Sequence, residues 1–196
     1  MQKVINFEQV IEMFGESFAD KCKRFMIAEG FMSLADLITL SEERGDISFF
    51  SDDEKEKVAF RLATTLMYYN NVGSSFAVFK RPDPSLPFQG MTDLLIASAC
   101  YFPRDVAFKA EKTMGPDGPL EFVKEHQVQV HFTGNFAYEV LESGQKVLMP
   151  VYLFEISKNS SFVTAVQESK NTKWITLNEL REMPPESMTA KLRALL

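Results

Sequence analysis

Glu121 and Glu125 stand four residues apart in LEFVKEHQ, a segment whose pattern predicts a helix over 120–127 behind Pro119. Residues at that spacing share one helix face, so the two carboxylates point the same way. Lys124 lies beside them, and a solvated surface face is the plainer account of all three. The only histidines, His126 and His131, are five residues apart across a helix-to-strand change and lack the spacing of a helical metal pair. Further carboxylates, Glu139, Glu155 and Glu168, fall in or near strands and loops. Trp174 reads as a core or rim residue before it reads as a stacking platform. Pro116 and Pro119 in GPDGP remove the N–H donors that a phosphate-cradling loop needs.

The elements that must position these groups begin with residues 136–183. Two strands, 136–141 and 146–156, are joined by a Glu-Ser-Gly-Gln turn. Residues 147–154 are apolar on both faces, as in a central, doubly covered strand. Trp174 and Ile175 form a short strand, and Thr176 with Glu179 has capping-box spacing for a following helix. Pro184 and Pro185 stop that helix. Upstream, SSFAVFKR over 74–81 alternates as a strand, 82–87 is a proline-dense loop, and 91–102 is an apolar segment open to strand or short buried helix. A last helix carries Met188, Leu192 and Leu195.

Before residue 73 the reading is helical. An apolar stripe over 6–29, capped by Asn6 and stopped by Gly30, predicts one helix, and 33–40 a short second one. Ser51-Asp52-Asp53-Glu54 has the form of a second capping box, opening a helix with Val58, Leu62, Thr65, Leu66 and Tyr69 on one side. The chain therefore reads as an α+β protein, sandwich-like, with a mixed sheet flanked by helices. Residues 1–72 form a helical extension packed on a domain of residues 73–196.

Composition sets the bounds. The 196 residues are 45% hydrophobic with 18 Phe, enough for a substantial core. The net charge of −6 argues against nucleic acid and an anionic membrane as partners, since no basic excess displaces counterions. Cys22 and Cys100, with no CxxC, suggest buried thiols in a reducing compartment. With no signal-peptide pattern at MQKVINFEQV and no run long enough to span a bilayer, an intracellular, cytoplasmic protein is expected.

FKRP at 79–82, the helix-to-strand unit near 119–132, VLMPVYLFEIS at 147–157 and TKWITLNEL at 172–180 resemble the Nudix superfamily over residues 74–196. That family's catalytic box gathers carboxylates on one helix around Mg²⁺ held by a pyrophosphate. Glu121 and Glu125 fall on two of its three helical glutamates. Lys124 replaces the middle one, Leu120 the arginine and Gln127 the glycine, while the leading Gly and Glu fall on Val106 and Lys112. A cation within a hard divalent site opposes metal binding, so the resemblance implies a degenerate catalytic box. It supports first a non-catalytic or regulatory binding module, with a protein partner or a nucleotide-type ligand. Lys80, Arg81 and Trp174 are its candidate binding residues. The second reading is a divergent hydrolase of nucleoside diphosphate-linked compounds, with Glu121 and Glu125 holding Mg²⁺ and Glu139 or Glu168 as base. A third is a structural or assembly protein unrelated to Nudix.

Overall fold

The computed structural model describes residues 1–33, 36, 47–71, 73–81, 88–94, 127–168 and 172–196. Their order is β1 (Gln2–Asn6), α1 (Phe7–Phe14), α2 (Glu16–Phe25), β2 (Gly30–Ser33), β3 (Ile47–Phe50), β4 (Lys57–Phe60), β5 (Ala63–Asn70), β6 (Gly73–Lys80) and β7 (Thr92–Leu94). Then come β8 (Gln127–Val140), β9 (Lys146–Glu155), α3 (Ser161–Glu168), β10 (Thr172–Thr176), α4 (Leu177–Glu182) and α5 (Ala190–Arg193). A 3₁₀ turn over Pro185–Ser187 joins the last two helices.

All the described strands belong to one mixed sheet whose central path runs β1-β8-β9-β5-β6-β10. β9 is its spine. It pairs antiparallel with β8 and parallel with β4 and β5, and its run from Val147 to Tyr152 is buried throughout. A strand covered on both faces has no polar side to alternate with, hence VLMPVY. Pro150 cannot donate to a ladder, and it lies opposite Phe136, where the β8–β9 register shifts. Gly134, at φ +82°, supplies the left-handed backbone of that irregularity. The break splits β8 into two halves on its other edge, with β2 along 127–130 and β1 along 135–139.

Helices cover both faces. On one, Val10, Phe14, Phe18 and Cys22 of α1 and α2, with Val163 and Val166 of α3, pack over Leu148, Tyr152 and Phe154. On the other, Leu180 of α4 and Ala190 and Leu192 of α5 pack over Val147, Met149 and Val151. Each large side chain so buried contributes on the order of 1.5–3 kcal/mol. The mixed sheet flanked by helices is the architecture expected from the sequence.

The later elements fall where the sequence places them: the β8–β9 hairpin, the strand through Trp174, the capping box of α4 and its stop before Pro184. In that box Thr176 accepts from the Glu179 N–H at 3.2 Å, and the Glu179 carboxylate takes the Thr176 N–H at 2.7 Å. Asn6 caps α1 through a reciprocal pair with Gln9.

The helical reading of the first seventy residues is corrected. Helix occupies 7–14 and 16–25, broken at Gly15, and residues 57–60 and 63–70 are strands β4 and β5. Val58, Leu62, Thr65, Leu66 and Tyr69 have helical spacing, but Ala59, Phe60, Ala63, Thr64 and Met67 between them are buried as well. A segment buried on both faces satisfies either period, and pairing with β9 decides it. Strands from this stretch are built into the same sheet as those from 73 onward, and β5 turns directly into β6. Of the helices expected over 33–40 and 120–127, Ser33 ends β2 and Gln127 begins β8, while 34–35, 37–40 and 120–126, with the loop at 82–87 and residues 95–102 of the apolar segment, lie outside the described residues.

Candidate functional site

The densest gathering of charged side chains among the described residues is buried beneath the C-terminal segment. β7 pairs with the end of β6, setting Asp93 opposite Phe79 and close to Arg81. The Asp93 side chain has no exposed surface. Its Oδ2 accepts from Arg81 Nε at 2.8 Å and lies 2.8 Å from Arg81 Nη2, so one carboxylate oxygen faces both nitrogens on that edge of the guanidinium. Its Oδ1 accepts from the Leu94 N–H at 2.8 Å and the Thr189 O–H at 2.6 Å. Thr189 also caps α5, accepting from the Leu192 N–H.

α5 then projects Lys191 inward, 3% exposed, with Nζ 3.2 Å from Asp93 Oδ2 and 3.8 Å from Glu139 Oε1. Glu139 comes from the middle of the sheet, on β8 opposite Gln2. Burial pushes its carboxyl above the ordinary range. Lys191 opposes this, Asp93 adds to it, and Arg81 and the amino terminus pull it down. Glu139 Oε1 has no hydrogen-bond partner among the described residues. The cluster is thus a lock: Asp93 and Lys191 join the C-terminal segment to the β6–β7 hairpin, and Glu139 waits beside them.

The sequence-derived candidates separate on this frame. Glu139 and Arg81 enter the cluster, and Lys80 is exposed at the end of β6. Trp174 is held by the fold, its Nε1 donating to the Val163 carbonyl at 3.0 Å and its ring lying edge-on to Tyr68. Glu168 is placed at the end of α3. Glu121, Glu125, His126 and Cys100 lie outside the described residues. His131 pairs with Glu155 at 2.8 Å on a half-buried face of β8 and β9. The Cys22 thiol is pushed up to about 12 by burial and remains protonated and inert. Among the described residues no group of three or more His, Cys, Asp or Glu is placed to hold a metal ion, and no helix is long and apolar enough to cross a membrane. The Lys191 ammonium, 3.8 Å from Glu139 Oε1, opposes a divalent cation at that carboxylate.

Asp93, Thr189 and Lys191 were missed from sequence. Two of them carried a signal. Asp93 is the lone charge in the apolar run MTDLLIASAC, and Lys191 lies three residues after Met188 on the apolar face of the last helix.

No protein-family model matches this chain, and no curated protein is detectably similar to it in sequence. Among solved structures it is similar to the crystal structure of Shewanella oneidensis NrtR, at 12% identity and TM-score 0.45, over 69% of this chain and 61% of that one. The same protein complexed with a 27mer DNA matches at 13% identity and TM-score 0.44, over 69% and 59%. The match therefore spans under two thirds of the NrtR chain. The likeness is weak and one of arrangement alone. It does correct one expectation. Nucleic acid was set aside on net charge, yet one matched structure is a DNA complex, and whole-chain charge does not describe a local surface.

Proposed function

We propose that this chain is a binding module on a Nudix-like scaffold, taking a protein partner or a nucleotide-type ligand without hydrolysing it. The observation that carries this reading is the internal commitment of the carboxylates the fold brings together. Asp93 is taken by Arg81, Thr189, Lys191 and the Leu94 N–H, and Glu139 lies buried against Lys191. Hydrolysis of a pyrophosphate on such a scaffold needs carboxylates free to gather positive charge. Lys124, where the resemblance expects a third helical glutamate, points the same way.

Thermal shift against a panel of nucleoside diphosphate-linked compounds, with and without Mg²⁺ or Mn²⁺, tests it together with an assay for released phosphate. A ligand at a hundred times its dissociation constant adds about 2.7 kcal/mol of stability. Stabilisation by one compound class without metal and without turnover supports the reading. Mg²⁺-dependent turnover that disappears in the Glu121→Gln/Glu125→Gln double variant overturns it.

A further inference from the structure

The residues from Met188 onward act as a clasp. The Thr189 N–H donates to the Thr92 carbonyl at 3.0 Å, the Ala190 N–H to Gln2 Oε1 at 2.5 Å, and Asn135 Nδ2 to the Ala194 carbonyl at 3.1 Å. β1, β7 and β8 are thus held by one short segment. Beneath it lie two carboxylates that do not share their donors evenly. Asp93 has the Arg81 guanidinium, the Thr189 hydroxyl, a backbone N–H and the nearer approach of Lys191. Glu139, 4% exposed, has Lys191 at 3.8 Å, beyond hydrogen-bonding distance, and its Oε1 accepts from none of the described residues. A buried carboxylate oxygen without a donor is costly when ionised and far less so when protonated.

We propose that Glu139 is carried as the neutral acid in the folded chain, and that its ionisation loosens the C-terminal clasp. The charged groups among the described residues that face it are Lys191 from α5, Asp93 from β7, Arg81 at the end of β6 and the amino terminus before β1. Lys191, Arg81 and the amino terminus favour the ionised form, but burial is the largest influence and Asp93 acts with it. Once ionised, Glu139 competes with Asp93 for Lys191 and calls for water beside Gln2. Both effects act on the contacts that dock the segment.

The sign follows. A carboxyl raised in the folded chain stabilises it fully below the unfolded value of 4.5, and that stability is lost as pH rises through the folded value. Amide hydrogen exchange of the wild-type chain, corrected for intrinsic rate, reads this directly. As pH rises above the unfolded value of 4.5, protection at Thr189, Ala190 and Leu192 should fall relative to the β9 amides, by up to about tenfold per pH unit while the group titrates. Glu139→Gln, uncharged at every pH, should hold that ratio flat. A constant ratio in the wild type, or an unchanged slope in the variant, overturns the proposal. The wild-type measurement decides even if the variant does not fold.

Discussion

Asp52 sits on the amino-terminal end of α2 so closely to Gly15 that a methyl group on the glycine would lie 2.1 Å from Asp52 Oδ2. The carboxylate accepts from the Ser17 and Phe18 N–H groups, each at 3.0 Å, while the Asp52 N–H donates to the Phe14 carbonyl. The cap that α2 lacks locally is thus delivered from the β3–β4 loop. Asp52→Ala should cost about 0.5–2 kcal/mol in chemical denaturation. Gly15→Ala should cost more, because the backbone there is at φ +91° as well as closed to a Cβ. Combining the two should relieve only part of the overlap, because Asp52 Cβ itself lies 2.6 Å from that methyl position, and none of the backbone strain; the double variant should be less destabilised than the sum.

Thr65 is buried in the half of β5 that pairs with β9, and its hydroxyl donates to the Ala77 carbonyl of β6 at 2.5 Å. The bond crosses the sheet where β5–β6 pairing has already ended at Met67 and Phe76. Thr65→Val keeps the shape and removes the donor. It should lower unfolding free energy by about 1–3 kcal/mol, and Thr65→Ser should recover most of that.

Lys191→Met would leave one side of Asp93 without its cation. Removing one partner of a buried ion pair costs about 3–5 kcal/mol. Adding Glu139→Gln should leave that loss nearly unchanged, since a neutral Glu139 has no charge for Lys191 to compensate. Substantial recovery in that cycle would show that Glu139 is ionised beside Lys191.

Glu179 titrates in the opposite sense to Glu139. The Thr176 N–H and hydroxyl hold its carboxyl below the ordinary value. A carboxyl lowered in the folded chain adds stability above its unfolded value of 4.5, and this is lost as pH falls through the folded one. Exchange of the α4 amides, corrected for intrinsic rate, should therefore quicken on acidification, and Glu179→Gln should remove that acid-dependent component.

Much of the second half of the chain was legible because its signals are local. Glu142-Ser143-Gly144-Gln145 makes a turn in any context that flanks it with strands, and Thr176 to Glu179 closes its box within one helical turn. What failed was the assumption that a local signal serves its nearest neighbour. Ser51-Asp52-Asp53-Glu54 does contain a helix cap, but Asp52 caps α2, thirty-five residues from Ser17 by sequence separation, and not the residues that follow it. The ionic cluster was hidden for the same reason. Thr189 meets Asp93 across 96 residues, and no spacing rule connects them. Glu139 was visible as a carboxylate in a strand, but its burial beside Lys191 is a property of the assembled sheet.

The docking of β1 between the second half of β8 and the C-terminal segment bears on how the chain acquires its fold during synthesis. Gln2 pairs with Glu139 and accepts from the Ala190 N–H across 188 residues. β1 therefore waits for residues made far later in the chain before its contacts are complete. Contacts that distant close slowly, and unpaired strand edges invite pairing with other chains in the interval. A nascent chain halted before β8 should expose Val4 and Ile5 on such an edge, bind holdase chaperones, and release them only once the C-terminal residues emerge.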